Sequence, residues 1–337
     1  MKSSPSHPVA VLGAGPVGLA AAAHLFERGF EPIIFEASPA VGASFREFAQ
    51  VRLFSPWRYN VDKASMRRLA TTGWVMPDEE ELPTAGELVT HYLSPLAMTM
   101  SRHIVLNAHV TSIARSGYDK VKSAGRESVP FMVRAKINGR NQQFLAAAVI
   151  DATGTWSNPN PLGANGLPAL GEIEQRHRIE YGMPDVLGRL QKRYRGKSVL
   201  VVGAGHSAVG SLVALAELAE IDPGTHIHWA LRSNTPSRAF GGGAADQLPA
   251  RGALGLRLQA LIEQGRLTVH TGFRIHELYE EQGTLTVVPE MGSNGVDAIH
   301  GIDEVICATG SRPDLEMVRE LRVQTIPCWK ARRNSPP

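Results

Sequence analysis

Cysteine is scarce in this 337-residue chain, which contains only Cys307 and Cys328. The two lie 21 residues apart and form no Cys-x-x-Cys pair, so the sequence excludes a redox-active dithiol of that kind. Cys307 lies within an apolar run, and we expect it to be a buried core residue, because free cysteine is among the most buried residue types. The alternative, a lone redox thiol, has no support from neighbouring residues.

Excess charge and long apolar runs are also missing. The formal net charge is +3 and 20% of the residues are charged, with no basic helix or aromatic stripe, so no nucleic-acid partner is indicated. No apolar run reaches the roughly 20 residues of a membrane span, and no signal peptide fits before the first strand. We therefore expect no membrane partner and a cytoplasmic location.

The sequence also shows no cluster of residues at the spacing of a metal site. His226 and His228 share one face of a strand, but no third ligand follows at a suitable spacing. The sequence therefore predicts no metal site, and packing on a sheet face accounts better for this pair.

Two glycine motifs are present, and each directly follows a short β-branched run. Gly13–Gly18 reads GAGPVG and Gly203–Ala208 reads GAGHSA. In such a motif the first glycine makes a tight turn, the second lets the backbone approach a pyrophosphate, and the third lets the helix pack on the sheet. The phosphates then lie at the helix N-terminus, where free N–H groups favour negative charge. The sequence therefore predicts two dinucleotide-binding folds.

The residues that end the next strand differ between the two copies. Glu36 ends the run Pro32–Glu36, where an acid binds ribose hydroxyls and repels a 2′-phosphate. Arg232 ends the corresponding run His226–Arg232, where its planar guanidinium can bind a 2′-phosphate. The first site therefore suits FAD or NAD, and the second suits NADPH.

At this point the chain resembles the flavoproteins with two dinucleotide-binding domains, the group that includes flavin-containing monooxygenases, Baeyer–Villiger monooxygenases and thioredoxin reductases. Val149–Gly154 and Val305–Gly310 are each a strand followed by Ala-Thr-Gly, which in that family marks a crossing between the domains. Gly42–Arg46 is similar to the Gly-Gly-x-Trp stretch of the monooxygenase branch, with substitutions. The resemblance extends to about Asp314.

The resemblance implies an α/β fold with two Rossmann-like three-layer domains, the NADPH domain inserted in the FAD domain. The expected boundaries are 1–155 for the first part of the FAD domain, 156–195 for a linker, 196–300 for the NADPH domain, 301–321 for the return to the FAD domain from Val305, and 322–337 for an irregular tail. It also implies hydride transfer from NADPH to FAD N5, with the cofactors carrying the chemistry. We therefore name no catalytic side chain.

The residues expected to contact the cofactors fall into two sets. For FAD they are Gly13, Gly15, Pro16, Gly18, Glu36, Ser44, Arg46, Val110, Thr153 and Gly154. For NADPH they are Gly203, Gly205, His206, Ser207, Ala208, Arg232, Thr309 and Gly310. For His206 and Ser207 the alternative is that they merely begin a helix.

Three functions stay open at this stage. A monooxygenase acting on O2 and a small organic molecule is the first. Its Phe-x-Gly-x-x-x-His signature is absent, because no phenylalanine lies between Phe144 and Phe240, so an NADPH-dependent flavin reductase is the second. Whether the protein forms a homodimer is also open.

The third is a nucleotide-binding relative without catalysis. Members of the family continue beyond the second Ala-Thr-Gly to a Gly-Asp pair whose acid holds the flavin ribityl chain. This chain has no Gly-Asp pair, and 27 residues follow Gly310. Our hypothesis from the sequence is a truncated or frame-shifted relative of a longer flavoprotein.

Overall fold

The computed structural model describes residues 7–291 and 297–324. In chain order the strands are β1 (Val9–Leu12), β2 (Pro32–Phe35), β3 (Ile104–Val105), β4 (Ala108–Arg115), β5 (Phe131–Ile137), β6 (Arg140–Ala146), β7 (Ala148–Asp151), β8 (Ile179–Tyr181), β9 (Ser198–Val202), β10 (His226–Ala230), β11 (Thr268–His270), β12 (Ile275–Glu281), β13 (Thr284–Pro289), β14 (Ile299–Ile302) and β15 (Glu304–Cys307). The α-helices are α1 (Pro16–Glu27), α2 (Ala43–Glu47), α3 (Trp57–Asn60), α4 (Lys63–Ala70), α5 (Ala85–Leu88), α6 (Ser94–Met98), α7 (Gln191–Tyr194), α8 (His206–Ile221) and α9 (Pro249–Glu263). A π-helical segment, Val89–Leu93, joins α5 to α6.

The first domain is built around a parallel sheet with the strand order β3-β2-β1-β7. Because successive side chains of a strand point to opposite faces, β1 contributes to two cores. Val11 packs with Leu19 and Ala22 of α1, whereas Ala10 and Leu12 pack against the antiparallel sheet β4-β5-β6. Helices, parallel sheet and antiparallel sheet therefore form three layers.

The second domain repeats this architecture around the sheet β11-β10-β9-β15-β8. Val199 and Val201 of β9 pack against α8 and α9, and Leu200 and Val202 pack against the antiparallel sheet β12-β13-β14. The two domains confirm the expected α/β fold with two Rossmann-like three-layer units.

The return to the first domain differs from the expectation that it begins at Val305. Strand β15 pairs in parallel with β9 and β8, so it belongs to the second sheet. The reason is burial on both faces: Val305 packs in one core of the second domain and Ile306 in the other. The chain reaches the first domain later, where Met317 is 8% exposed and packs in its core with Val318.

The expected linker, 156–195, also contributes to the second domain. Its strand β8 is the edge strand of the second sheet and pairs with β15. The irregular part of the linker pairs with the segment after β15: Pro159 bridges Ser311, Asn160 N donates to Gly310 O and Arg312 N donates to Asn158 O. These two crossing segments thus lie side by side between the domains.

Candidate functional site

The first glycine of each motif makes a turn that only glycine fits. Gly13 has φ +95° and Gly203 has φ +130°, in the left-handed region that side chains disfavour. A Cβ on Gly13 would lie 2.7 Å from Ala152 O, and one on Gly203 would lie 2.3 Å from Ala308 O. Both turns therefore press against the strand that precedes a crossing segment.

The third positions serve helix packing. A Cβ on Gly18 would lie 1.9 Å from Gly13 O, so the first motif requires glycine there. Ala208 in the second motif is fully buried in the core between α8 and the second sheet. The replacement of glycine by alanine at this position is thus accommodated by packing.

Neither backbone conformation nor packing explains why the second position of each motif is glycine. Gly15 and Gly205 have ordinary extended backbone, with φ −84° and −87°. A Cβ built on either would meet no atom of the described chain within 4 Å. Each is the N-cap of its helix, α1 or α8, and no side chain among the described residues caps those N–H groups. Pro16 follows at N1, where no N–H is needed.

These two open helix starts fit a dinucleotide pyrophosphate. Space in front of the second glycine and uncapped N–H groups are the features that phosphate oxygens require. Both nucleotide sites predicted from the sequence therefore have the shape needed for a bound group.

Glu36 lies beside the first of these turns. It is 7% exposed, and its carboxylate accepts hydrogen bonds from Ala14 N (2.8 Å) and Ser38 N (2.9 Å). An ionised carboxylate offers about four lone-pair sites, so these two bonds hold it in place and leave acceptor capacity for ribose hydroxyls.

Arg232 lies at the second site, on the wall of a cavity of about 560 Å³. The cavity is also lined by Gly203, Gly205 and Ser207 of the second motif. Nη1 of Arg232 donates to Ala164 O (3.2 Å), and its side chain is exposed. The volume falls within the roughly 300–1,000 Å³ of ligand pockets.

His206 is placed differently from Ser207. It is exposed, and its ring makes an edge-to-face contact with Phe54 of the first domain at a centroid distance of 5.2 Å. The start of the second nucleotide helix therefore contacts the segment between β2 and β3.

The two Ala-Thr-Gly segments hold the crossing chains. Thr153 donates from N and Oγ1 to Asp151 Oδ1, at 3.0 and 2.6 Å, and Thr309 Oγ1 donates to Asn160 O at 2.9 Å. Gly154 and Gly310 follow with φ +69° and +87°. Thr309 and Gly310 line the second cavity, so they lie with the residues predicted for that site.

The remaining candidates for the first site differ in how far their side chains are buried. Gly42 N donates to Ala14 O, which places α2 and its half-buried Ser44 beside the turn. Arg46 is exposed, and its guanidinium donates to Val41 O (3.1 Å) and Ser94 Oγ (3.3 Å). Val110 packs its side chain in the core between the sheets of the first domain and pairs with Ala135 of β5.

Asn160 and Arg312 are functional candidates that the sequence did not reveal. Both line the second cavity. Nδ2 of Asn160 donates to Thr309 O, whereas its buried Oδ1 has no hydrogen-bond partner among the described residues. A buried acceptor without a partner is costly, and a bound dinucleotide could supply the donor. Only the Asn-Pro repeat of the linker hinted at a special backbone here.

Cys307 is a buried thiol, as expected. Burial raises its pKa to about 11, and its Sγ lies 3.2 Å from Thr309 Oγ1. A thiol held in this state is a poor nucleophile at neutral pH. Cys328 lies outside the described residues, as does the part of the expected irregular tail from residue 325 onward.

The histidines of β10 have a partner that the sequence did not suggest. His228 Nδ1 lies 3.1 Å from His270 Nε2 on β11, and the rings stack at a centroid distance of 5.4 Å. The residues that the structure describes contain no group of three or more metal-ligating side chains. A search of the same residues for helices long and apolar enough to cross a membrane finds none.

Comparison with proteins of known sequence finds relatives among monooxygenases. Mouse flavin-containing monooxygenase 1 is 28% identical over 218 residues, which are 63% of this chain and 38% of that protein. The probable indole-3-pyruvate monooxygenase YUCCA9 of Arabidopsis thaliana is 25% identical over 209 residues, or 61% of this chain and 44% of that protein. The chain thus spans about two fifths of the length of these relatives.

Solved structures share the fold over nearly the whole chain. The bacillithiol disulfide reductase of Bacillus cereus matches with a TM-score of 0.68 and 20% identity, over 94% of this chain and 82% of that one. The FAD-bound cadaverine monooxygenase DfoA of Erwinia amylovora matches with a TM-score of 0.65 and 15% identity, over 95% and 82%.

A family model described as pyridine nucleotide-disulphide oxidoreductase matches residues 10–331. This match confirms the resemblance inferred from the two glycine motifs and the two Ala-Thr-Gly segments. The chain belongs to the pyridine nucleotide-disulphide oxidoreductase family.

Proposed function

We propose that this chain is an FAD-dependent NADPH oxidoreductase of the monooxygenase-like branch, with FAD in the first site and NADPH in the second. The observation that carries the proposal is the pair of open second glycines, Gly15 and Gly205, each at an uncapped helix start. The charges beside them differ, with buried Glu36 at the first site and Arg232 at the second. That difference matches one nucleotide with free ribose hydroxyls and one with a 2′-phosphate.

The contacts between the domains support electron transfer between the two sites. Phe54 meets His206 at the start of α8, and Trp156 Nε1 donates to Glu47 Oε2 at 2.5 Å while its ring packs on Phe48. When bound, the nicotinamide supplies a hydride and the flavin accepts it. These contacts bring the start of α8 against the first domain, which supports the positioning that such a transfer needs.

The final acceptor is proposed to be O2 together with a small organic substrate. The flavin-containing monooxygenase relatives favour this acceptor. The matching bacillithiol disulfide reductase does not favour a disulfide acceptor here, since likeness at 20% identity shows the fold alone and the chain has no Cys-x-x-Cys pair.

An NADPH-dependent flavin reductase is the second candidate. It is favoured by the missing Phe-x-Gly-x-x-x-His signature, since the nearby Tyr181 and Gly182 do not fit its spacing. Gly182 lies under the Trp156 ring, since a Cβ there would be 2.9 Å from that ring. Oxygen uptake distinguishes the candidates: a monooxygenase consumes O2 faster with a lipophilic amine, thiol or ketone, whereas a reductase oxidises NADPH at the same rate without one.

The experiment that tests the proposal is a visible absorption spectrum of the purified, FAD-reconstituted protein, followed by anaerobic titration with NADPH. Flavin bands that remain with the protein through gel filtration and bleach with one equivalent of NADPH are the expected result. A colourless protein that cannot be reconstituted would refute the proposal and favour a nucleotide-binding relative without catalysis. Retained flavin that NADPH does not bleach would refute the electron path.

A further inference from the structure

Another cavity adjoins the one lined by the second glycine motif, and neither nucleotide site accounts for it. This linker groove has a volume of about 430 Å³ and is lined by Pro159, Pro161, Pro168, Ile173, Arg176, Tyr181 and Arg312, with Glu172 at its base. Its volume is within the roughly 300–1,000 Å³ of small-molecule sites.

The groove has more positive than negative charge, since two arginines and one glutamate line it. Arg176 and Arg312 are exposed, and in the described part of the chain neither guanidinium is ion-paired. Arg176 donates to Ile179 O and lies 4.4 Å above the Tyr181 ring. By contrast, the nearby Arg178 pairs with a glutamate.

Glu172 does not serve as the missing partner. It is 3% exposed, and its carboxylate accepts hydrogen bonds from Leu162 N (3.0 Å), Ala169 N (2.7 Å) and the Tyr181 hydroxyl (2.5 Å). These bonds use the carboxylate to hold the loop together. The carboxylate keeps its negative charge, so the groove carries the two positive charges of Arg176 and Arg312 against the one negative charge of Glu172, and the balance remains positive.

We infer that the linker groove is a binding site for a small organic anion, a carboxylate carried on an apolar ring. The carboxylate would lie between Arg176 and Arg312, since a guanidinium fork matches carboxylate geometry. The ring would lie against the prolines and Ile173, which form an apolar wall. This site goes beyond the proposed function, which uses only the two nucleotide sites.

The groove is linked to the second nucleotide site by a shared wall. Asn160, Pro161 and Arg312 line both cavities. Because the Arg312 guanidinium then faces an anionic ligand in each cavity, we expect a carboxylate in the groove to compete with a bound nucleotide for it. The two ligands are thus expected to oppose each other.

The first test is calorimetric titration of the whole protein with benzoate, with benzamide as the uncharged probe of the same shape. We expect benzoate to bind with a Kd on the order of 1 mM and benzamide to bind at least tenfold more weakly. Arg176→Gln should weaken benzoate about tenfold, by the loss of a charge-assisted bond. The control Arg189→Gln removes an exposed charge that does not line the groove and should change nothing.

Three results would overturn the inference: no benzoate binding, equal binding of benzamide, or benzoate binding that Arg176→Gln leaves unchanged. Calorimetry reads binding directly, so a protein that holds no flavin still tests the groove. Failure of this inference is therefore distinguishable from failure of the proposed function.

The second test measures the coupling and rests on the proposed NADPH site. Saturating benzoate should raise the Kd of NADP+ about fivefold, and Arg312→Gln should abolish this effect. An unchanged Kd of NADP+ in the wild-type protein would overturn the shared role of Arg312.

Discussion

At the scale of single residues, the two proposed nucleotide sites differ most in the charge beside the ribose. Glu36 is nearly buried and held by two backbone N–H groups. Arg232 lies on a cavity wall and makes one bond to a carbonyl. The fixed carboxylate of Glu36 suits a ribose hydroxyl, whereas the guanidinium of Arg232 suits a 2′-phosphate.

Glu36→Gln is predicted to weaken FAD binding about tenfold, because a neutral amide replaces a charge-assisted acceptor. The amide keeps the size of the side chain and one acceptor oxygen, so it retains one of the two backbone hydrogen bonds. Retained flavin per protein after gel filtration is the measurement. Glu31→Gln, at an exposed position just before β2, is the matched control, and equal flavin content in both variants would contradict the role of Glu36.

Arg232→Gln is predicted to raise the KM for NADPH by about tenfold or more and to leave the KM for NADH nearly unchanged. The reason is that only NADPH carries the 2′-phosphate that the guanidinium would bind. Steady-state kinetics with both cofactors measure it, with the exposed Arg266→Gln as the control. An equal loss for both cofactors would shift the role to Arg238, which lines the same cavity.

At the scale of elements, each strand–turn–helix unit combines glycines required by packing with one that packing does not require. Gly203 is pressed against Ala308 O, whereas Gly205 faces open space. Within a single turn, we therefore expect one glycine to matter for stability and the other for binding.

Gly205→Ala is predicted to abolish NADPH binding while the protein stays as stable as the wild type, or gains up to about 1 kcal/mol from a less flexible unfolded chain. Gly203→Ala is the matched variant. Its Cβ would meet Ala308 O at 2.3 Å with φ +130°, so it should lower the free energy of unfolding. Urea denaturation measures the stability of both variants, and titration with NADP+ measures their nucleotide binding. Wild-type NADP+ affinity in Gly205→Ala would contradict a pyrophosphate at this helix start.

The histidine pair of β10 and β11 makes stability depend on pH. Burial lowers the pKa of His228, with His270 and His226 contributing, and burial lowers the pKa of His270. The unfolded chain therefore binds protons at a pH where the folded chain does not, so stability is highest above the unfolded pKa of 6.5 and falls as the pH drops below it.

We predict that Tm decreases between about pH 7.5 and pH 5.5 and that His270→Gln makes this decrease shallower. Thermal unfolding followed by circular dichroism across that range is the measurement. His276→Gln, at an exposed position, should leave the slope as in the wild type. A slope that is the same in His270→Gln would rule out this pair as its source.

At the scale of the whole molecule, the second domain interrupts the first, and a buried arginine helps to fasten the return. Arg126 is 6% exposed. It donates to Glu320 O (2.8 Å) and to the carbonyls of Tyr118 and Asp119. This side chain joins the loop after β4 to the segment that follows the inserted domain.

Arg126→Ala is predicted to lower the free energy of unfolding by about 2–4 kcal/mol, since it leaves carbonyl groups without their buried donor. Hydrogen–deuterium exchange should rise in residues 118–128 and 315–322 and remain unchanged in the second domain. The exposed Lys122→Ala serves as the control. Uniform protection in Arg126→Ala would show that other contacts hold the return.

The sequence by itself determined the two nucleotide folds and their order. Glycine turns after β-branched strands, with Glu36 and Arg232 at the next strand ends, are local signals, because the turn and its helix are neighbours in the chain. The sequence Thr84–Glu87 is another local signal, and the structure has both hydrogen bonds of a capping box there. The three-layer α/β fold was implied by the family resemblance that these motifs carry.

Only the tertiary structure decided how distant segments meet. The apolar run Val305–Cys307 was expected to return to the first domain but pairs with β9 in the second sheet, because a strand that is apolar on both faces fits wherever two cores meet. Asn160, Arg312 and the linker groove came to light for the same reason. Their places depend on two crossing segments about 150 residues apart in the chain, and local patterns carry no information about such a pairing.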